Sequence, residues 1–211
     1  MKPTVDEYFK PYGLIELQRR MVSDGYRTDA FARAIREVVR PTDVVLDVGT
    51  GTGILAMLAA RAGARQVFAI EQTDMAEVAA DLVSANGLSD KVQILGGQAE
   101  DLQLQQQADL IISEWLGTAA FVERMLDDVI AARNNNLAPA GRMLPSNVRV
   151  VLAPLDDPIL YNGDGPGFWR ESIHGLDFSS LQQLELSQGR VMPTRLETAA
   201  LLAPGQSMTE S

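Results

Sequence analysis

A glycine-rich turn behind an acidic residue is the feature of this sequence best suited to chemistry. Asp47 is followed by Gly49, Gly51 and Gly53, and an apolar run that starts at residue 44 leads into the turn. Glycine lets the backbone approach a ligand closely and adopt dihedral angles that other side chains forbid. A buried strand that enters such a turn and then opens a helix is typical of sites for nucleotide-like ligands.

The spacing of the glycines within the turn indicates which nucleotide-like ligand the turn could bind. A dinucleotide fingerprint reads G-x-G-x-x-G, whereas this turn reads G-x-G-x-G, and the carboxylate of Asp47 would repel a pyrophosphate. No Gly-Lys-Ser/Thr sequence of a phosphate-binding loop follows. The ammonium group of a methionine moiety, by contrast, would be attracted to Asp47.

Two further polar segments fit the rest of such a ligand. Glu71 lies 24 positions after Asp47, at the end of the next apolar run, where a carboxylate can accept hydrogen bonds from both ribose hydroxyls. Gln98, Ala99 and Glu100 follow the third apolar run, where a backbone amide and an acidic side chain could meet an adenine. The order and spacing of these residues predict S-adenosyl-L-methionine as the cofactor.

The elements that must position these residues follow an α/β pattern. Short apolar runs alternate with longer helical stretches, which predicts βαβ units and a mainly parallel sheet. We expect a Rossmann-like α/β domain over 41–145, preceded by a helical segment over 1–40 that closes over the cofactor. A short β-rich appendage is expected over 146–204 and a mobile tail over 205–211. The predicted strands are 44–46, 66–70, 92–95, 109–112 and 141–143, and the predicted helices are 54–62, 74–85 and 120–133.

Composition limits the chemistry further. The net charge is -10, from 28 acidic and 18 basic residues, which argues against nucleic acid as a partner and favours a cationic substrate. There is no cysteine and a single histidine, His174, so we expect no metal site. No apolar run is long enough to span a membrane, and we expect a cytoplasmic protein without a membrane partner.

The segment from Asp109 to Gly117 resembles the double-glutamate loop of protein arginine methyltransferases. The resemblance continues through Phe121, Glu123 and Met125, and upstream through Tyr8 and Tyr12. It implies a class I S-adenosylmethionine-dependent methyltransferase with Glu114 and Glu123 as catalytic residues, and with Arg27 on the cofactor carboxylate. The predicted cofactor site comprises Tyr8, Tyr12, Gln18, Met21, Arg27, Asp47, Gly49, Gly51, Gly53, Ile54, Leu55, Glu71, Gln98, Ala99, Glu100, Glu114 and Met125.

Paired carboxylates suit a guanidinium acceptor. A guanidinium presents its donors in a planar fork that pairs with carboxylates bidentately. Glu114 and Glu123 would hold such a group, draw its positive charge away from the attacking nitrogen and align that nitrogen with the methyl sulfonium. Such a displacement needs no metal.

Departures from the family keep other substrates open. Family members tend to have larger residues between the two glutamates than this sequence, which has Thr118, Ala119, Ala120 and Val122 there. After residue 168 there is also no Thr-His-Trp segment, which family members usually carry. Methylation of a small metabolite on nitrogen, carbon or oxygen is therefore the alternative to an arginine of a peptide or protein. A non-catalytic binding module is a third hypothesis. The oligomeric state is left open, a homodimer included.

Overall fold

The computed structural model describes residues 13–117, 125–189 and 196–207. The chain divides into two compact units, Met1–Val148 and Arg149–Ser211. In the described ranges, no helix is long and apolar enough to cross a membrane.

The first unit is a five-stranded parallel sheet with helices between its strands. Two helices precede the sheet, and its strands occur in the order β3-β2-β1-β4-β5. This arrangement confirms the predicted Rossmann-like α/β fold. The elements are α1 (Ile15–Ser23), α2 (Gly25–Val38), β1 (Val44–Val48), α3 (Ile54–Arg61), β2 (Gln66–Glu71), α4 (Met75–Ala85), β3 (Val92–Gly96), a 3-10 turn (Ala99–Asp101), β4 (Ala108–Ile112), α5 (Met125–Asn136) and β5 (Leu137–Leu144).

The sheet is apolar on both faces, which explains why its strands read as continuous apolar runs. All five residues of β1 are buried. Val45 belongs to a cluster with residues of α3, whereas its neighbour Leu46 packs with Val129 and Ala132 of α5. Since successive strand residues point to opposite faces, each face of the sheet has its own hydrophobic core.

The strand order reverses between β1 and β4. The chain proceeds from β1 outward to β2 and β3, then returns so that β4 pairs with the other side of β1. In open α/β sheets, ligands bind at such a switch point, outside the carboxyl ends of the strands. The turn after β1 and the segment after β4 are therefore brought side by side at this edge.

The second unit contains short elements. β6 (Val151–Leu152) pairs antiparallel with β7 (Gln206–Ser207), and an isolated bridge joins Leu155 to Leu201. The rest forms helices α6 (Pro158–Gly163) and α7 (Ser180–Leu186) and two 3-10 turns, Pro166–Arg170 and Thr198–Ala200.

Two expectations for the second unit differ from the structure. The strands predicted over 146–204 are limited to β6 and the bridge, and helical turns fill the remainder. Asp157 caps the start of α6, because its side chain accepts a hydrogen bond from Leu160 N at 2.9 Å. The predicted mobile tail is corrected at residues 206–207, whose backbone is paired in β7; residues 208–211 lie outside the described ranges.

Candidate active site

A cavity of about 690 Å³ opens where β1, β2 and β4 end. This volume falls within the roughly 300–1,000 Å³ of sites that hold small molecules and cofactors. The turn after β1, the end of β2, the segment after β3 and Glu114 after β4 all contribute to its wall, and α1 and α2 cover one side.

The glycine turn needs glycine for two reasons. Gly49 and Gly51 have φ angles of +70° and +54°, in the left-handed region that disfavours other residues. A Cβ on Gly51 would also lie 2.8 Å from Gln18 Oε1, so a side chain there would force the end of the Gln18 side chain to move. The turn is held by Gly49 N and Thr50 N, which both donate to Ile70 O at 3.0 Å.

Asp47 lies beneath the turn and does not line the cavity. Its Oδ2 accepts hydrogen bonds from Thr50 Oγ1 at 2.6 Å and from Ala56 N, in the first turn of α3, at 3.1 Å. Its Oδ1 is buried and has no hydrogen-bond partner among the described residues. Burial raises the pKa of Asp47 to about 7, against the lowering effect of its two hydrogen bonds, and the negative charge of Glu71 adds to the rise.

Glu71 lies at the end of β2 and lines the cavity. Its Oε2 accepts from Gly51 N at 2.9 Å, and its Oε1 accepts from Thr73 N at 2.9 Å and Thr73 Oγ1 at 2.8 Å. These donors fix the carboxylate against the glycine turn. A carboxylate oxygen has more than one lone pair, so Glu71 can still accept hydrogen bonds from a ligand.

Glu114 forms an ion pair with a guanidinium. Arg27 Nη1 donates to Glu114 Oε2, and Arg27 Nη2 donates to Met21 O at 2.6 Å. The other oxygen of Glu114, Oε1, accepts from Leu116 N at 3.2 Å. The neighbouring Ser113 ties this segment to β1, since its Oγ donates to Val48 O at 2.8 Å. The resemblance places Arg27 on a cofactor carboxylate; the structure places it on Glu114.

The cavity wall is strongly acidic. Arg27 is the one cationic side chain among the described lining residues. The acidic ones are Asp24, Glu71, Glu100, Glu114, Asp127 and Asp128. Within the described ranges there is no group of three or more His, Cys, Asp or Glu side chains that could hold a metal ion.

The structure gathers most of the predicted site residues around this cavity. The lining includes Gln18, Met21, Arg27, Gly49, Gly51, Ile54, Leu55, Glu71, Gln98, Ala99, Glu100, Glu114 and Met125. Gly53 is absent from it: this residue caps α3 with a φ angle of +79° and packs near Ala79. Tyr8, Tyr12 and Glu123 lie outside the described residues.

Sequence reasoning missed several lining residues. Thr73 follows Glu71 by two positions and fixes its carboxylate, a local pattern that is readable from the sequence. Asp127 and Asp128 lie in the first turn of α5, where acidic residues are favoured by the helix dipole in any protein. Nothing in the sequence indicated that Phe31 of α2 lines the cavity, because its place on the wall depends on how α2 packs.

Comparison with known proteins shows the family of this chain. The family model described as "Ribosomal protein L11 methyltransferase (PrmA)" matches residues 13–146, more than half of the chain. The fold and the glycine turn define a class I S-adenosylmethionine-dependent methyltransferase, and the chain belongs to this methyltransferase family.

Individual relatives are arginine methyltransferases by name. The chain is 41% identical over 179 residues to "Probable protein arginine N-methyltransferase 6" of Arabidopsis thaliana, covering 84% of this chain and 41% of the relative. It is 36% identical over 181 residues to "Protein arginine N-methyltransferase 1" of Schizosaccharomyces pombe, covering 84% and 53%. The chain thus spans about half the length of the curated relatives that it matches.

Solved structures share the fold. The Trypanosoma brucei PRMT1 enzyme-prozyme heterotetrameric complex with AdoHcy has a TM-score of 0.79 and 31% identity, with 94% of this chain and 62% of the other covered. Arabidopsis thaliana protein arginine methyltransferase 10 has a TM-score of 0.77 and 36% identity, with 96% and 63% covered.

Proposed function

We propose that this chain carries the cofactor-binding and methyl-transfer centre of a protein arginine N-methyltransferase. One observation carries the proposal: Glu114, at the cavity edge after β4, already accepts a hydrogen bond from a guanidinium, that of Arg27. The names of the relatives support the same substrate class.

The residues present fit S-adenosyl-L-methionine. Gly51 has a positive φ angle and a Cβ there would meet the end of the Gln18 side chain, and Glu71 lines the cavity with its carboxylate fixed by three donors. Glu71 would hold the ribose, Gln98, Ala99 and Glu100 the adenine, and Arg27 the carboxylate. The bound cofactor supplies an electrophilic methyl group on a sulfonium.

Positioning and electrostatics are the proposed contribution of this chain to the reaction. Glu114 would pair with the substrate guanidinium and hold one of its nitrogens toward the methyl donor. Its negative charge would stabilise the positive charge that the guanidinium retains during transfer. The acidic wall raises the local concentration of a cationic acceptor. The role of Glu123 beside Glu114 stays a prediction from the resemblance.

Methyl transfer to a defined peptide tests the proposal. The protein is mixed with S-adenosyl-L-methionine carrying a labelled methyl group and a peptide that contains one arginine, and an otherwise identical lysine peptide serves as the acceptor control. We expect label in the arginine peptide alone, and a loss of about 10²–10³-fold in rate for Glu114→Gln. Glu37→Gln, an exposed change on α2, should transfer normally.

The result that would contradict the proposal is equally specific. Transfer to a small metabolite but to no arginine peptide would favour the alternative substrate class. Equal rates for Glu114→Gln and the unaltered protein would remove Glu114 from the reaction.

Assembly and location are separate proposals. We infer that the chain can form a homodimer, since the second unit exposes large apolar side chains such as Phe168, Leu176 and Leu184. Sedimentation analysis over a range of concentrations tests this, and a single monomeric species throughout would refute it. The predicted cytoplasmic location is tested by cell fractionation.

A further inference from the structure

The described wall of this cavity offers one guanidinium to any carboxylate that enters it. Arg27 is the one cationic side chain among the described lining residues, and it contacts Glu114. The methionine moiety of the proposed cofactor carries a carboxylate of its own, and every other charged side chain on the described wall is acidic. Arg27 is therefore the residue that can neutralise either carboxylate.

The Arg27–Glu114 pair lies where such competition would matter. The two side chains are 28% and 19% exposed, so the pair is partly removed from water. Coulomb interactions are stronger there than on an open surface, where an ion pair contributes little. Arg27 is also held by Met21 O, at 2.6 Å from Nη2, on the same side of the cavity.

The group that occupies Glu114 is chemically the same as the proposed substrate group. Both are guanidinium ions, and a second guanidinium at Glu114 would meet the positive charge of Arg27 and compete with it for the charge of the carboxylate. A ligand carboxylate that draws Arg27 away would leave the charge of Glu114 uncompensated and ready for a new cation.

We propose that Arg27 is an exchangeable latch on Glu114: it occupies this acceptor position until the carboxylate of the bound cofactor attracts it, so that cofactor binding prepares the site for an arginine substrate. This rests on the function proposed above. Arg27 exchanges one ionic partner for another, and no covalent bond changes.

The first test measures cofactor affinity without any methyl acceptor. S-adenosylhomocysteine is titrated calorimetrically into the unaltered protein and into Glu114→Gln. The substitution removes the competing charge, so we expect the variant to bind about tenfold more tightly, which is the effect of some 1.4 kcal/mol. S-adenosyl-3-thiopropylamine, which lacks only the carboxylate, should bind both proteins equally. Glu37→Gln is the matched control and should leave both affinities unchanged.

The outcomes of this test separate the latch from the cofactor site. Equal or weaker binding of S-adenosylhomocysteine by Glu114→Gln would overturn the latch while leaving the cofactor site intact. If no protein bound S-adenosylhomocysteine, both the proposed function and the latch would be refuted.

The second test uses a peptide with one arginine. We expect the unaltered protein to bind it at least about tenfold more tightly with saturating S-adenosylhomocysteine than with S-adenosyl-3-thiopropylamine. Arg27→Gln should bind the peptide without either ligand, whereas Arg33→Gln, an exposed change on the same helix, should behave like the unaltered protein. Equal peptide affinity of the unaltered protein with the two ligands would overturn the latch.

Discussion

Asp47 supports the glycine turn without lining the cavity. Its position before the glycine turn is readable from the sequence, and so is its acidic character. The contacts of Asp47 are not readable from the sequence, because they depend on how the turn folds back over this residue. Thr50 and the first turn of α3 donate hydrogen bonds to Asp47, and the turn lies between Asp47 and the cavity. The structure therefore assigns Asp47 first to shaping the turn, and its predicted attraction for a methionine ammonium stays a prediction.

The buried carboxyl of Asp47 should make stability depend on pH. Its pKa is about 7 in the folded chain, above the ordinary value of 3.8. Between these two values the folded state binds more protons than the unfolded state, so the free energy of unfolding falls as pH rises through this window. Asp47→Asn removes the titrating group, so the free energy of unfolding of the variant, relative to that of the unaltered protein, should rise with pH across this window by on the order of 2–4 kcal/mol.

Chemical denaturation at a series of pH values measures this difference. The gap between Asp47→Asn and the unaltered protein should shrink toward acid pH, where Asp47 is protonated in the folded state. Asp81→Asn, an exposed change on α4, controls for the loss of one charge. A gap that does not vary with pH would show that Asp47 does not titrate in this range.

The positions of Glu71 and Glu114 at the cavity were easier to predict from the sequence than the contacts of Asp47. Glu71 is the last residue of β2 and Glu114 lies two residues after the end of β4, and the carboxyl ends of parallel strands meet at one edge. The ion pair between Glu114 and Arg27 was not predictable, since it joins residues 87 positions apart and depends on the packing of α2 against the sheet.

At the scale of elements, the strands of the first unit were predictable because burial on both faces makes them continuously apolar. β5 was predicted too short. It contains Pro139 and Gly141, residues that interrupt a strand pattern, and its pairing with β4 shifts in register between Ala108 and Leu110. The helices of the second unit were missed because they are short, with few turns in which a periodic pattern could show.

Adding a side chain to the glycine turn should lower two quantities that can be measured separately, the stability of the protein and its affinity for the ligand. Gly51→Ala places a Cβ in a left-handed conformation and within 2.8 Å of Gln18 Oε1. We expect a loss of about 1 kcal/mol or more in stability and a large loss of affinity for S-adenosylhomocysteine. Thermal unfolding and calorimetric titration measure the two effects.

Gly63 offers a matched control for Gly51. It has a φ angle of +103°, and nothing lies within 4 Å of the position of a Cβ. Gly63→Ala should therefore lower stability through backbone strain alone and leave the affinity for S-adenosylhomocysteine unchanged. If both variants kept full affinity, the turn would not be part of the ligand site.

At the scale of the whole molecule, the candidate site belongs to one unit. Every described residue that lines the cavity lies between Leu17 and Asp128, within the first unit. The second unit has its own aromatic cluster, in which Trp169 contacts Phe168 edge-on and donates from Nε1 to Glu185 Oε2 at 2.6 Å.

Trp169→Ala should lower the stability of the second unit without changing ligand binding. Removing the ring deletes its packing and its hydrogen bond, and we expect about 1–3 kcal/mol of lost stability in the second unit. Hydrogen exchange over residues 155–188 should rise, while the affinity for S-adenosylhomocysteine stays unchanged. Leu176→Ala, at a largely exposed position, should change neither quantity. A weaker affinity in Trp169→Ala would mean that the cavity depends on the second unit.

Calorimetric titration of the intact protein with S-adenosylhomocysteine, repeated with Glu71→Ala, tests whether this cavity is the cofactor site. We expect saturable binding at one site, and a clear loss of that binding when the Glu71 carboxylate is removed from the cavity wall. The absence of binding by the intact protein, or full binding by Glu71→Ala, would contradict the assignment of this cavity to S-adenosyl-L-methionine.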